Sequence, residues 1–391
     1  MNRSIVFYCH NAFGLGHIMR SALVAAAVRE RDPDARLTIL TGCRALERLS
    51  LPEHVQIEPL PPVSAVDARA LRTPDIFAAR EKRICDILRD QQPDLLVVDL
   101  LATGLNGELL PALSAGEREG WRTWPVLGLP YIHGLSLLRP SSQRVRSIID
   151  HYRAVVAYTD PRADPIFDAA VEAGLPRLRH YAGFVARAGP ALPASHDSPP
   201  LVVVLNGGGG SSSIFPLVEA ALLPLVSAGR TRLRVVAGAL NQAPRPSYAR
   251  GAPGIEFIEA MPFEHAVQGA AVVVSRCGYN SAFGLIQLQL PIVFLPEDEG
   301  SKEQRDRGRL LSVLPHVWSV EENNTDALAR AVGQALAAGP VKRVLPFSLD
   351  GAASSARWLL EEVAPLIDRR RQASAIVASS AKPRFWMRSH R

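Results

Sequence analysis

Two short apolar runs, Ser4–Cys9 near the start of the chain and Leu201–Leu205 near its middle, each pass straight into a glycine-rich loop and then into a helical pattern. A strand that ends in glycines and turns into a helix is the opening unit of a parallel α/β layer, and here it occurs twice. The first series continues with strand patterns at Arg36–Thr41, Val55–Leu60, Asp94–Asp99, Trp124–Leu129 and Ala154–Thr159, with helical stretches such as His17–Glu30 and Ile76–Gln91 between them. A Pro-, Gly- and Ser-rich segment, residues 186–200, reads as a linker. The second series predicts strands at Leu233–Ala237, Ile255–Ile258, Ala271–Ser275 and Ile292–Leu295. Its helices fit at Ile214–Ser227, Ser281–Gln289, Glu303–Leu314 and Thr325–Ala338. The expected fold class is therefore α/β: two Rossmann-like, doubly wound domains, residues 1–185 and 201–345, facing across a cleft. A last helix, Ala353–Ile367, is expected to pack back on the first domain within residues 346–367. Residues 368–391, dense in arginine, read as a disordered basic tail.

Bulk properties narrow the function classes. At 391 residues the chain is long for one core and suits two. Hydrophobic residues at 47% against 21% charged exclude an intrinsically disordered chain. No apolar run reaches the roughly 18 to 20 residues of a membrane span. No signal-peptide pattern precedes Ser4, so the expected location is cytoplasmic, with peripheral contact at the inner membrane face left open. Cys9, Cys43, Cys85 and Cys277 lack CxxC spacing, which argues against zinc and a disulfide framework. The net charge of +6 is concentrated in the tail, and no basic stripe interleaved with aromatics indicates nucleic acid. Oligomeric state leaves no signature.

Four loops carry candidate chemistry. In the first, Gly14 and Gly16 allow close approach of a ligand and His17 opens the following helix. The dinucleotide fingerprint is rejected because Met19 stands where a third glycine belongs, and Thr41 and Gly42 replace the ribose-binding acid. A general base and a residue that only caps or packs the turn are both open readings of His17. The second loop, Gly207, Gly208, Gly209 and Gly210 followed by Ser211–Ser213, can wrap phosphate oxygens with backbone amides; without a Walker lysine, nucleoside triphosphate hydrolysis is not indicated. In the third, Ser275–Ser281, Arg276 can offset diphosphate charge, while Asn280 and Ser281 suit helix capping. In the fourth, Glu303 and Gln304 open a helix where they can meet sugar hydroxyls, or simply form a solvated acidic loop with their neighbours. Asp99 ends a strand and either orients His17, binds an acceptor or is solvated. His133 reads as structural, and Leu137–Arg146 as an amphipathic helix or a lipid-facing surface. Asp32-Pro-Asp34 reads as a turn, so no metal is expected.

These four clusters, in this order, resemble the GT-B glycosyltransferases of the MurG group and its predicted-glycosyltransferase relatives. The resemblance implies that Gly14-Leu-Gly-His-Ile-Met-Arg20 is the first glycine loop and Gly207–Gly210 the second. It implies further that Glu256–Met261 meets a uracil base, with Ile258 against it and Met261 also in the donor site, and that Gly278, Asn280 and Ser281 belong to the ribose-side loop. Glu303-Gln304 matches the pair that contacts the donor sugar. The implied activity is metal-independent, inverting transfer from a nucleotide-diphosphate sugar, chiefly a UDP-sugar, to a small-molecule or lipid-linked acceptor. His17, supported by Asp99, would be the base. The pattern departs at Gly284, which stands where the family has a ribose-binding glutamate. Gly16-His-Ile-Met-Arg20 is also similar to the GHVMR run of nucleotide-sugar hydrolases of pseudaminic acid synthesis, so hydrolysis with His17 activating water is the alternative. A non-catalytic nucleotide-sugar-binding protein is the third reading.

Overall fold

A computed structural model describes residues 2–10, 14–63, 74–130, 143–167, 174–187, 199–208, 212–297, 302–321 and 324–380. The first domain is a seven-stranded parallel sheet of β1 (Ser4–Cys9), β2 (Arg36–Thr41), β3 (Gln56–Pro59), β4 (Leu95–Asp99), β5 (Trp124–Pro130), β6 (Ala154–Tyr158) and β7 (Arg179–Tyr181), in the order β3-β2-β1-β4-β5-β6-β7. Helices α1 (Gly16–Arg31), α2 (Pro74–Gln91), α3 (Leu110–Arg118) and α4 (Gln143–His151) provide crossovers. The second sheet has six parallel strands: β8 (Leu201–Leu205), β9 (Arg232–Val236), β10 (Ile255–Ile258), β11 (Ala270–Ser275), β12 (Ile292–Phe294) and β13 (Val317–Ser319), in the order β10-β9-β8-β11-β12-β13. Its helices are α5 (Ile214–Ser227), α6 (Tyr279–Leu285), α7 (Lys302–Leu311) and α8 (Thr325–Ala338).

Strand order places the site. In each sheet the winding reverses beside the first strand, between β1 and β4 and between β8 and β11, and a crevice opens at the carboxyl ends there. Both glycine loops leave the chain at these two points. The pairing of Tyr8 with Val98 brings the end of β1 beside Asp99 at the end of β4. Strands such as β1 and β8 are buried along their whole length because helices cover both faces, which is why they read as unbroken apolar runs.

Several boundaries differ from the sequence reading. Asp94 precedes β4, where its carboxylate accepts from the Ser4 amide at 2.9 Å while its own amide donates to the Ser4 carbonyl at 2.7 Å. The three-residue strands β7 and β13, and helix α3, were not expected, and α4 runs beyond the Leu137–Arg146 segment read as a helix, to His151. The helix expected at Ser281–Gln289 runs Tyr279–Leu285, and that at Glu303–Leu314 ends at Leu311. No described helix is long and apolar enough to cross a membrane.

The chain returns to the first domain after α8. The Phe184 amide donates to the Ser348 carbonyl at 2.9 Å, the Gly351 amide donates to the Phe184 carbonyl at 3.0 Å, and α9 (Gly351–Trp358) packs along α1. A π turn at 359–363 leads into α10 (Ala364–Ser380), so residues 368–380, expected to be disordered, are helical. Arg3 pairs with Asp368, Nη1 to Oδ1 at 2.9 Å. Phe184 of the first domain stacks on Phe283 of α6 with ring centres 3.8 Å apart, and Phe347 packs edge-on at 5.1 Å. One apolar cluster therefore runs from Ile5 and Phe7 through Phe184, Phe283 and Trp358 without a break between the sheets.

Candidate active site at the domain cleft

His17 lies in the first turn of α1, where its side chain does not cap the helix. It points to Asp99 instead, with Nδ1 3.1 Å from Oδ1. The residue three positions on, Arg20, shares that helix face. Its Nε donates to Asp99 Oδ2 at 2.9 Å and its Nη2 to Oδ1 at 2.7 Å, a two-pronged fork on a carboxylate only 2% exposed. A carboxylate oxygen beside Nδ1 calls for a proton between them, which assigns the Nδ1–H tautomer and leaves Nε2 with a lone pair. The fully buried start of the loop, His10, packs its ring 4.4 Å from that of His17.

Electrostatics follow from burial and the fork. Burial alone would raise the Asp99 carboxyl, but Arg20 and then His17 hold it down, from 3.8 to about 2. Burial, and next the neighbouring His17, hold His10 well below the usual histidine range, so it is a neutral packing partner. Because the folded value for Asp99 lies below the unfolded one, its contribution to stability is complete above about pH 4 and is lost as pH falls to about 2. Urea midpoints measured across this window should fall more steeply for the wild type than for Asp99→Asn. Parallel curves would mean that Asp99 is not held ionised by its neighbours.

The facing wall comes from the second domain. Gly207 has φ +74° and Gly238 φ +99°, and a Cβ on Gly238 would lie 1.9 Å from the Gly207 carbonyl oxygen, so the β8 and β9 loops close on each other only as glycines. A Cβ on Gly208 would meet Leu15 at 2.8 Å: the two glycine loops touch. Gly209, Gly210, Ser211, His133 and most of the Leu137–Arg146 segment lie outside the described residues. Gly14 has φ +107°, and among the described residues no atom beyond the local chain lies within 4 Å of the Cβ position of Gly16 or Gly278. Buried Arg276 is aimed by the Ser213 hydroxyl at 2.6 Å and the Leu295 carbonyl at 3.2 Å.

The expectation that Asn280 and Ser281 cap α6 is not met. Gly278 is the N-cap residue, without a side chain to cap with, and both polar residues sit inside the first turn. Asn280 Nδ2 instead reaches across the cleft to the Gly16 carbonyl at 3.1 Å. Ile258 and Met261 are half-buried; the Ile258 carbonyl accepts from the Ala237 amide at 2.9 Å, and Met261 packs on the core. Glu303 pairs with the buried Arg307, and Gln304 Nε2 donates to Glu297 at 3.3 Å, so this pair is built into the opening of α7. Gly284 is buried with its Cβ position 3.4 Å from the Phe263 ring, and that ring fills the direction a glutamate would take. Among the described residues no group of three or more His, Cys, Asp or Glu side chains could hold a metal ion.

Sequence reasoning missed Arg20, Tyr158 and Tyr279. The spacing of three from His17 was the available signal for Arg20. The two tyrosines had none, since they meet only through the pairing of the domains.

No protein-family model matches the chain. Over 311 residues it is 27% identical to the UDP-N-acetylglucosamine–N-acetylmuramyl-(pentapeptide) pyrophosphoryl-undecaprenol N-acetylglucosamine transferase of Acidothermus cellulolyticus, covering 74% of this chain and 77% of that one. Among solved structures it is similar to the glycosyltransferase of kitacinnamycin, with TM-score 0.58, 14% identity and coverage of 95% of this chain and 99% of the other. It is similar also to MurG of Acinetobacter baumannii, with TM-score 0.51, 10% identity and coverage of 94% and 100%. The fold is thus GT-B, two parallel-sheet α/β domains about a shared cleft. In sequence the chain is MurG-like.

Proposed function

We propose that the protein is a glycosyltransferase that moves a sugar from a UDP-sugar to a small-molecule or lipid-linked acceptor, with His17 as the general base. The observation that carries this reading is the placement of His17. It has a buried, ionised Asp99 behind it, and the second glycine loop touches Leu15, two residues before it, at the meeting of two switch-point crevices. Nε2 of His17 takes the proton of the acceptor hydroxyl while Nδ1–H donates to Asp99, which steadies the imidazolium that forms. The acceptor oxygen bonds to the anomeric carbon as the bond to the diphosphate oxygen breaks, so one displacement inverts that centre. The departing diphosphate is met by backbone amides at the Gly207–Gly208 end of the β8 loop and by Arg276, whose guanidinium the Ser213 hydroxyl already holds before reaction. The sequence relative, named as an N-acetylglucosamine transferase, and the kitacinnamycin glycosyltransferase support the reaction class.

The test is a release assay with UDP-sugars, with and without a panel of acceptors. Release of UDP only when acceptor is present, with a glycosylated product, is the expected result. Release in buffer alone, with free sugar as product, would overturn transfer in favour of hydrolysis. Binding of UDP with no turnover under any condition would leave a sugar-nucleotide-binding protein.

A further inference from the structure

Arg20 is 2% exposed, and its charge is met on three sides. Asp99 takes both prongs of the guanidinium fork. The ring of Tyr158, at the end of β6, lies 5.5 Å from its Cζ, and the ring of Tyr279, in the first turn of α6, lies 4.8 Å away. The nearer ring therefore belongs to the other domain. Tyr279 is itself pinned to the first domain, where its hydroxyl accepts from the Val185 amide at 2.9 Å and donates to the Tyr158 carbonyl at 2.7 Å. On the second-domain side, Arg307 of α7 lies 5.6 Å from the Tyr279 ring and pairs with Glu303. An unbroken row of contacts thus joins Glu303, Arg307, Tyr279, Arg20, Asp99 and His17. Arg20 Nη2 is also 3.2 Å from His17 Nδ1, so any rotation of the guanidinium changes what Nδ1 meets.

We propose that Arg20 is a positioning residue, which fixes the His17–Asp99 pair only while Tyr279 of the second domain packs against it, so that both domains complete the base. The proposal rests on the role given to His17 above and extends it: α6 opens at Gly278, immediately after the loop that carries Arg276, so displacement of this helix is transmitted to the imidazole through one aromatic contact. A planar fork is required. A lysine keeps the charge but cannot hold both carboxylate oxygens in one plane or lie flat between two rings.

The test reads His17 itself. Two-dimensional ¹⁵N-histidine spectra of the full chain without substrate should show His17 as the Nδ1–H tautomer in the wild type. In Arg20→Lys and in Tyr279→Leu they should show a mixture of tautomers, whereas Tyr279→Phe, which keeps the ring, should stay close to wild type. In the release assay, Arg20→Lys and Tyr279→Leu should lower kcat about 100-fold, with the KM for the donor within about threefold of wild type. A merely structural role would lower the melting temperature without moving the tautomer. Tyr279→Leu leaves the ion pair intact and decides the matter if Arg20→Lys fails to fold. An unchanged His17 spectrum in the folded variants overturns the proposal, as does a locked tautomer in Tyr279→Leu. If both variants lose the tautomer while the wild type transfers no sugar, the positioning role stands and the transferase reading falls.

Discussion

His17→Ala should reduce kcat by roughly 10²- to 10⁴-fold, the usual contribution of a positioned general base, while UDP affinity changes little. The two halves of that expectation come from different walls of the cleft. The proposed proton acceptor belongs to α1 of the first domain, whereas the groups proposed to meet the diphosphate, Arg276 and the Gly207–Gly208 loop, belong to the second. His17→Gln is the more informative companion, because its amide can still approach Asp99 and fill the site without accepting a proton at neutral pH. Measured by UDP titration and by steady-state rates, both variants should bind and both should turn over at least about 100-fold more slowly. A near-wild-type rate for either would reduce His17 to a loop residue and remove the basis of the mechanism.

The largest loss of stability is expected from Arg80→Ala. Arg80 and Glu108 are both essentially without solvent contact, and they face each other through Nε to Oε2 at 2.5 Å and Nη2 to Oε1 at 2.7 Å. Arg80 Nη1 also donates to the Pro61 carbonyl at 2.8 Å, and the Tyr8 hydroxyl donates to Glu108. This cluster ties β1, α2 and the loops at 61 and 108 together under the floor of the cleft. Removing the arginine leaves a carboxylate buried among β-sheet residues with its charge unmatched, which costs roughly 3–5 kcal/mol. The double variant Arg80→Met/Glu108→Gln, which removes both charges and keeps volume, should recover most of that loss in urea unfolding. A single-variant loss under about 1 kcal/mol would contradict burial of the pair.

The long buried strands and the helices behind the glycine loops could be read from the sequence because their signals are local. Five apolar residues in a row leading into a glycine loop have few alternatives, and β1 and β8 match their expected ranges residue for residue. β7 and β13 escaped because three half-buried or mixed residues carry no period. The association of His17 with Asp99 stood as one of several options, since β1 and β4 are neighbours in the sheet but not in sequence. Asn280 and Ser281 were misread for a related reason. Their position at a strand-to-helix turn suits a cap, and nothing local shows that Gly278 would take that place and free Asn280 to cross to Gly16. Gly284 was legible as a departure but not as a packing choice; only the fold brings Phe263 against it.

The return of the chain to its own beginning sets an order of assembly during synthesis. The β1–α1 unit is made well before the residues it needs: the helix that covers α1 and the carboxylate that pairs with Arg3 come from residues 351–368, 365 positions later in the case of that ion pair. Domains ordinarily fold as they emerge, amino-terminal part first. Here the amino-terminal domain must wait, with the flank of α1 uncovered, until the whole of the second domain and the strand of chain beyond it have left the ribosome. The nascent first domain therefore leaves the ribosome with apolar surface on α1 still exposed, and α1 gains its final neighbours only once residues 351–368 have been made.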